Sequence, residues 1–167
     1  MKILVFDTET NGLPEKNASI YDYNKWPHIL QLSYILYDLS NNTTIIKDNY
    51  IKLNPIIPID PSSLEIHGLN HDYLNKNGIH IIPALREFNE YLDKCDIVVG
   101  HNISFDKRVI FVECLRHKVD QKFTKFVNNQ KICKREYCTM KNSTQFCEIT
   151  ALSKTNKTYI KQPKLIE

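Results

Sequence analysis

Apolar residues along this chain change their period several times, and each change marks an element. Ile3-Leu4-Val5-Phe6 is a short continuous apolar run, which predicts a buried strand over about residues 2–8. Residues 11–27 then form a polar loop that holds Tyr21, Tyr23 and Trp26. Strand-like runs over residues 29–37 and 43–53 follow, with Asn41-Asn42 as a natural hairpin turn between them. Pro55, Pro58 and Pro61 predict an extended linker, and a short helix is expected over 70–76. Pro83 suits the first turn of a helix that runs to Lys94, with Leu85, Phe88 and Leu92 on one face. A strand over 97–99 precedes a helix over about 105–118, where Phe105, Val109, Val112 and Leu115 keep helical spacing. Residues 128–138 predict a fifth strand or a turn. The order is that of one α/β domain over residues 1–167, without a repeat or an interdomain linker.

Chemistry enters where the apolar runs stop. The first strand delivers Asp7 and Glu9 before Asn11-Gly12 breaks it. Side chains alternate across a strand, so the two carboxylates point the same way and repel each other. A divalent cation stabilises such a pair, and oxygen-only ligands suit Mg²⁺ or Mn²⁺. The plainer alternative is two exposed acids that merely end a strand. Asp106 lies near the start of a helix that follows the strand ending at Gly100, a junction where ligands collect in α/β sheets. It could converge with Asp7 and Glu9, or it could be an acid favoured only by the helix dipole.

Phe6-Asp7-Thr8-Glu9-Thr10-Asn11-Gly12-Leu13 resembles the first motif of the DEDD 3′–5′ exonucleases, a family that includes DNA polymerase III epsilon-like proofreading subunits. Val99-Gly100-His101-Asn102-Ile103-Ser104-Phe105-Asp106 resembles its second motif. Between them, Ile59-Asp60-Pro61 through Glu65-Ile66-His67-Gly68-Leu69 is similar to a loop of the His-containing subgroup. The resemblance implies a ribonuclease-H-like mixed sheet, three antiparallel strands and then parallel ones, flanked by helices. It implies two divalent cations, Mg²⁺ or Mn²⁺, held by Asp7, Glu9 and Asp106, which hydrolyse a phosphodiester. Leu13 would wedge against the terminal base, and Thr8 and Thr10 would meet the terminal sugar. His67, His101, Asn102 and Phe105 complete the implied substrate contacts. The implied partners are single-stranded DNA or RNA 3′ ends, with a polymerase as a protein partner.

The family's third motif, a His followed five residues later by an Asp, has no counterpart here. The last Asp is Asp120 and the last His is His117. The expectation is a chain that stops before the C-terminal helix and so lacks the usual general base, a group typically worth about 10²–10⁴-fold. The alternative function is therefore a catalytically weak nucleic-acid-binding or polymerase-associated module. His101 could bond phosphate near the proposed cations and becomes the first suspect for the base only if this chain turns over as fast as one extended through the next helix, while His28, His71 and His80 carry no signal.

Charge adds a direction. Residues 1–115 hold 10 Lys/Arg against 15 Asp/Glu, whereas residues 116–167 hold 12 against 4. A basic segment beside an acidic pocket suits a polyanion whose end enters the pocket. No apolar run approaches the length of a membrane helix. Five cysteines, an odd number without a secretion signal, fit reduced thiols and an intracellular protein.

Overall fold

Alternation along the first strand decides how the sheet is faced. In β1 (Lys2–Thr10), Leu4, Phe6, Thr8 and Thr10 are buried, while Val5 and Asp7 are exposed and Ile3 and Glu9 half-buried. The computed structural model describes residues 1–164. β2 (Ile29–Asp38) and β3 (Thr43–Tyr50) form an antiparallel meander with β1. Asn42, at φ 54°, supplies the turn between them. Ile51 continues only as an isolated bridge to Ile79, so the third strand is shorter than its apolar run.

The predicted proline linker is partly wrong. Asp60 and Pro61 open a helix, α1 (Pro61–His67), in which the Asp60 carboxylate accepts from the Ser62 and Ser63 amides. α2 (His71–Asn77) begins at an Asn70 cap, and α3 (Ile81–Lys94) follows. β4 (Ile97–Gly100) pairs parallel to β1, and α4 (Ile103–Arg116) follows it. β5 (Thr124–Val127) and β6 (Gln130–Cys133) form a separate ribbon. β7 (Arg135–Cys138) adds to β4 in parallel, giving the sheet order β3-β2-β1-β4-β7. The mixed sheet, antiparallel on one side and parallel on the other, is the one expected.

Residues 139–160 hold elements that apolar periodicity did not announce. α5 (Thr139–Cys147) is followed by a hairpin of β8 (Thr150–Leu152) and β9 (Thr158–Ile160). The main core lies on one face of the sheet. Phe6 and Tyr34 meet Phe88 of α3 edge-on, at 5.4 and 5.3 Å between ring centres. Val109, Ile110 and Val112 of α4 join the same cluster. On the other face Val5 stays 41% exposed, and Ile35, Ile46 and Tyr137 are exposed in the same cross-strand row. Asp7 and Glu9 stand on that open face.

Candidate active site

Two irregularities shape the end of β1. Glu9 pairs with Gln31 but Thr10 with Ile29, so Leu30 is an extra residue on β2 beside Glu9. Its side chain packs instead with Leu69 and Leu74 in a small second core. On the other side, β4 pairs with β1 only as far as Val5↔Val99 and ends at Gly100. A Cβ on Gly100 would lie 3.2 Å from the Phe6 carbonyl oxygen, so the two strands meet this closely because glycine stands there. The chain turns through Asn102, left-handed at φ 56°, and enters α4.

That turn delivers Asp106. Its side chain is 3% exposed and its Oδ1 accepts from the Thr8 amide at 3.0 Å and the Thr8 hydroxyl at 2.7 Å. A side chain thus meets the amide that β4 would have met had it continued. Thr8 is buried on the helix side, between the outward-facing Asp7 and Glu9.

The three acids share one electrostatic signature. Burial lifts Asp106 to about 6, and the neighbouring Asp7 charge adds to the rise against the Thr8 bonds that lower it. Asp7 is also raised, by the protein mass around it, with His101 and the Thr8 amide pulling the other way. Glu9 is raised by burial and then by Asp7. Like charges therefore crowd at the end of β1. Among the described residues, no three His, Cys, Asp or Glu side chains are already spaced to grip one metal ion. The oxygen-only donor set and the mutual repulsion nonetheless fit a hard divalent cation.

The other predicted contacts are distributed unevenly. Leu13 is 82% exposed and lines a groove of about 430 Å³ with Asn11, Gly12 and Pro61. The Thr10 hydroxyl donates to the Gly12 carbonyl at 2.7 Å and so holds the turn before Leu13. His67 accepts from the Leu69 amide through Nδ1, which leaves Nε2 to donate to the Thr10 carbonyl at 3.2 Å. His67 thus pins a loop to β1. Phe105 packs against the main core. The Asn102 side chain makes no capping bond. His101 has Thr139 Oγ1 3.0 Å from Nδ1 and the Pro163 carbonyl 3.2 Å from Nε2.

Two positions matter more than their sequence context suggests. Asn11, read as a strand breaker, receives the His28 amide on Oδ1 (2.6 Å) and donates from Nδ2 to the Pro58 carbonyl (2.8 Å). Its own carbonyl accepts from the Asp60 amide at 2.8 Å, so one residue ties three loops around the groove. His28 lies 3.3 Å from the buried Glu113 carboxylate. Only long-range contacts carry these roles, so no local pattern announces them.

A family model described as "Exonuclease" (RNase_T) matches residues 4–162. The chain belongs to this exonuclease family. It is 23% identical over 140 residues to a DNA polymerase III PolC-type of Pediococcus pentosaceus, a match that covers 84% of this chain and 9% of that protein. Its fold is similar to that of E. coli exonuclease I in complex with a dT13 oligonucleotide, at a TM-score of 0.68 and 14% identity. That likeness covers 96% of this chain and 34% of exonuclease I. A product-bound exonuclease I gives a TM-score of 0.69 at 12% identity, over 96% of this chain and 36% of the other. The chain thus spans about a third of the exonuclease structures and less than a tenth of the polymerase. In this exonuclease fold Asp7 and Glu9 stand at the end of the central strand, and Asp106 reaches that end from the first turn of α4. No helix among the described residues is long and apolar enough to cross a membrane.

Proposed function

We propose that this chain is a metal-dependent 3′–5′ exonuclease that releases nucleotides from the 3′ end of single-stranded DNA. The observation that carries the reading is the crowding of Asp7, Glu9 and Asp106 where the Thr8 bonds bring α4 to β1, each carboxyl pushed upward first by burial and two of them further by the charge of Asp7. Repulsion of this kind is relieved by divalent cations, and these three residues would hold them. When bound, such a pair activates a water and stabilises the leaving oxygen of a phosphodiester. Thr8 fixes Asp106 in one orientation, so the acid needs no rearrangement when the charge arrives. Leu13, exposed over its groove beside the Thr10–Gly12 bond, would meet the terminal base on this reading.

A second reading, a nucleic-acid-binding module with weak cleavage, has its own support. His101 is the histidine whose charge reaches Asp7, and both its ring nitrogens are already bonded. Cleavage without general-base help from His101 would forgo about 10²–10⁴-fold. The polymerase relative makes a polymerase the protein partner to test.

One assay separates the readings. DNA and RNA oligonucleotides labelled at either end are incubated with Mg²⁺ or Mn²⁺, with EDTA as control and Asp7→Ala beside the wild type. The nuclease reading expects metal-dependent shortening of 5′-labelled DNA one nucleotide at a time, lost in Asp7→Ala. Binding without shortening in either metal selects the second reading. Near-normal turnover by Asp7→Ala rejects the assignment of the acids, and shortening of RNA alone corrects the substrate.

A further inference from the structure

Away from the three acids, one part of the surface is both basic and apolar. Residues 121–147 hold six Lys/Arg and one acid, Glu136, which is paired with Lys107 of α4. The β5–β6 ribbon rises from this segment and joins no other strand among the described residues. Asn128 and Asn129 turn it at φ 49° and 62°, as a two-residue hairpin requires. Residues 125–133 are all exposed. The register sets Phe126, 73% exposed, opposite Lys131, and Lys125 opposite Ile132. An isolated two-stranded ribbon is marginal by itself, so these apolar residues do not stand there to build a core. The base of the ribbon is firm: Lys134 donates from Nζ to the carbonyls of Asp93 (2.9 Å) and Cys95 (2.7 Å), and from its amide to that of buried Phe123 (2.9 Å).

From that base β7 leads back to the acids. The register Ile3↔Ile97↔Arg135 and Val5↔Val99↔Tyr137 puts Arg135 and Tyr137 on the open face that carries Asp7. Strand geometry sets the Tyr137 backbone roughly 12 Å from that of Asp7, two strands across and one step down. Tyr137 is 45% exposed. From the acids, exposed side chains thus run through Tyr137 and Arg135 to the ribbon, where Phe126 and Lys131 share one face and Lys125 and Ile132 the other.

We propose that Tyr137 and the β5–β6 ribbon form a track for the body of a single-stranded nucleic acid whose 3′ end lies at Asp7, Glu9 and Asp106. The track rests on the exonuclease reading above. Unpaired bases offer their faces to Phe126 and Tyr137 whatever their identity, and the cations meet phosphates. A duplex hides its base faces, so the exposed aromatics favour a single strand. A protein partner with an acidic, apolar segment is the competing occupant.

The test is fluorescence anisotropy with the full chain in EDTA, using 5′-labelled oligothymidylates of three and of about twenty nucleotides. The long strand is expected to bind at least about tenfold more tightly than the short one. Phe126→Ala should weaken the long strand by about 5- to 150-fold, leave the short one unchanged, and be rescued by Phe126→Trp. Replacing Lys131 and Arg135 with Ala should reduce the salt slope by roughly 1.4. Because Phe126 is exposed, unchanged thermal melting checks that each variant is folded. If Phe126→Ala binds the long strand like the wild type while the chain still cleaves it, the track is overturned and the exonuclease reading stands. Failure to bind or cleave either length overturns both. Tighter binding of a blunt duplex than of the single strand overturns the choice of ligand.

Discussion

Asp106 and Glu113 lie seven residues apart on α4, 3% and 2% exposed, and the fold treats them in opposite ways. Burial lifts both carboxyls. For Glu113 the imidazoles of His117 and His28 and the Arg116 guanidinium outweigh it and hold the group down at about 2. Its Oε1 accepts from Arg116 (2.5 Å) and from the Ile29 amide (3.2 Å). His117 reaches Oε2 at 3.1 Å, an ion-pair distance off the hydrogen-bond line. Arg116 goes on to the carbonyls of Tyr23, Trp26 and Pro27, so the cluster closes the long loop before β2. Asp106 meets only the neutral Thr8 on its Oδ1, beside the like charge of Asp7, and rises to about 6. One carboxylate is neutralised from within. The other is left without a cationic side chain against it, the difference expected between the proposed ligand and a structural acid.

The largest expected effect breaks the Asp106 half of that contrast. Asp106→Asn should lower turnover on the order of 10⁴-fold, since a metal ligand supports several kcal/mol of transition-state stabilisation. The fold should not suffer. An acid whose folded pKa is raised from 3.8 to about 6 costs stability as pH climbs through that window, so at pH 7 the variant should melt at or above the wild type. A variant that loses activity and several degrees of melting temperature together would return Asp106 to the structural class.

Glu113→Gln tests the other half. Removing the carboxylate strands Arg116 among backbone carbonyls and should cost about 3–5 kcal/mol in urea denaturation at pH 7. The sign with pH is opposite to that of Asp106. The folded pKa is depressed from 4.5 to about 2, so the wild type holds this contribution above pH 4.5 and loses it as pH falls towards 2. Two and a half pH units correspond to about 3 kcal/mol. The acid limb of the stability profile should be flatter in the variant. An identical limb in both proteins would mean that Glu113 is not what the cluster stabilises.

The smallest effect sharpens the comparison without touching either acid. Thr8→Val removes the 2.7 Å hydroxyl bond to Asp106 and leaves the amide. Groups that orient a metal ligand typically carry about 10–100-fold in affinity or activity. Mn²⁺ titration should show a loss in that range, with Glu113-dependent acid stability unchanged. Wild-type Mn²⁺ affinity in this variant would make Thr8 a packing residue only.

The sequence made one half of this contrast legible and hid the other. Strand alternation put Asp7 and Glu9 on one face, and the strand-to-helix junction put Asp106 near an α/β ligand position, because both signals are local. Glu113 sits at a core position of α4 and receives its neutralising partners from the 23–29 loop and from its own C-terminal turn, a pairing that no periodicity encodes. Pro55, Pro58 and Pro61 suggest a linker and mask α1, although Asp60-Pro61-Ser62-Ser63 carries a cap and an N1 proline. α5 lacked an apolar face to find: Asn142, Ser143 and Thr144 bond carbonyls one turn back, and Phe146 is exposed. Asn11 was seen as a breaker because its three partners lie at residues 28, 58 and 60.

The bond between Thr8 and Asp106 spans 98 positions of the chain. Contacts between segments so far apart form late, since the intervening loop must first be closed against its entropy. The meeting of Asp106 with the Asp7 and Glu9 end of β1 is therefore a property of the closed domain. In an unfolded chain the three acids are separate side chains, and the site proposed for them exists only once α4 has docked on β1.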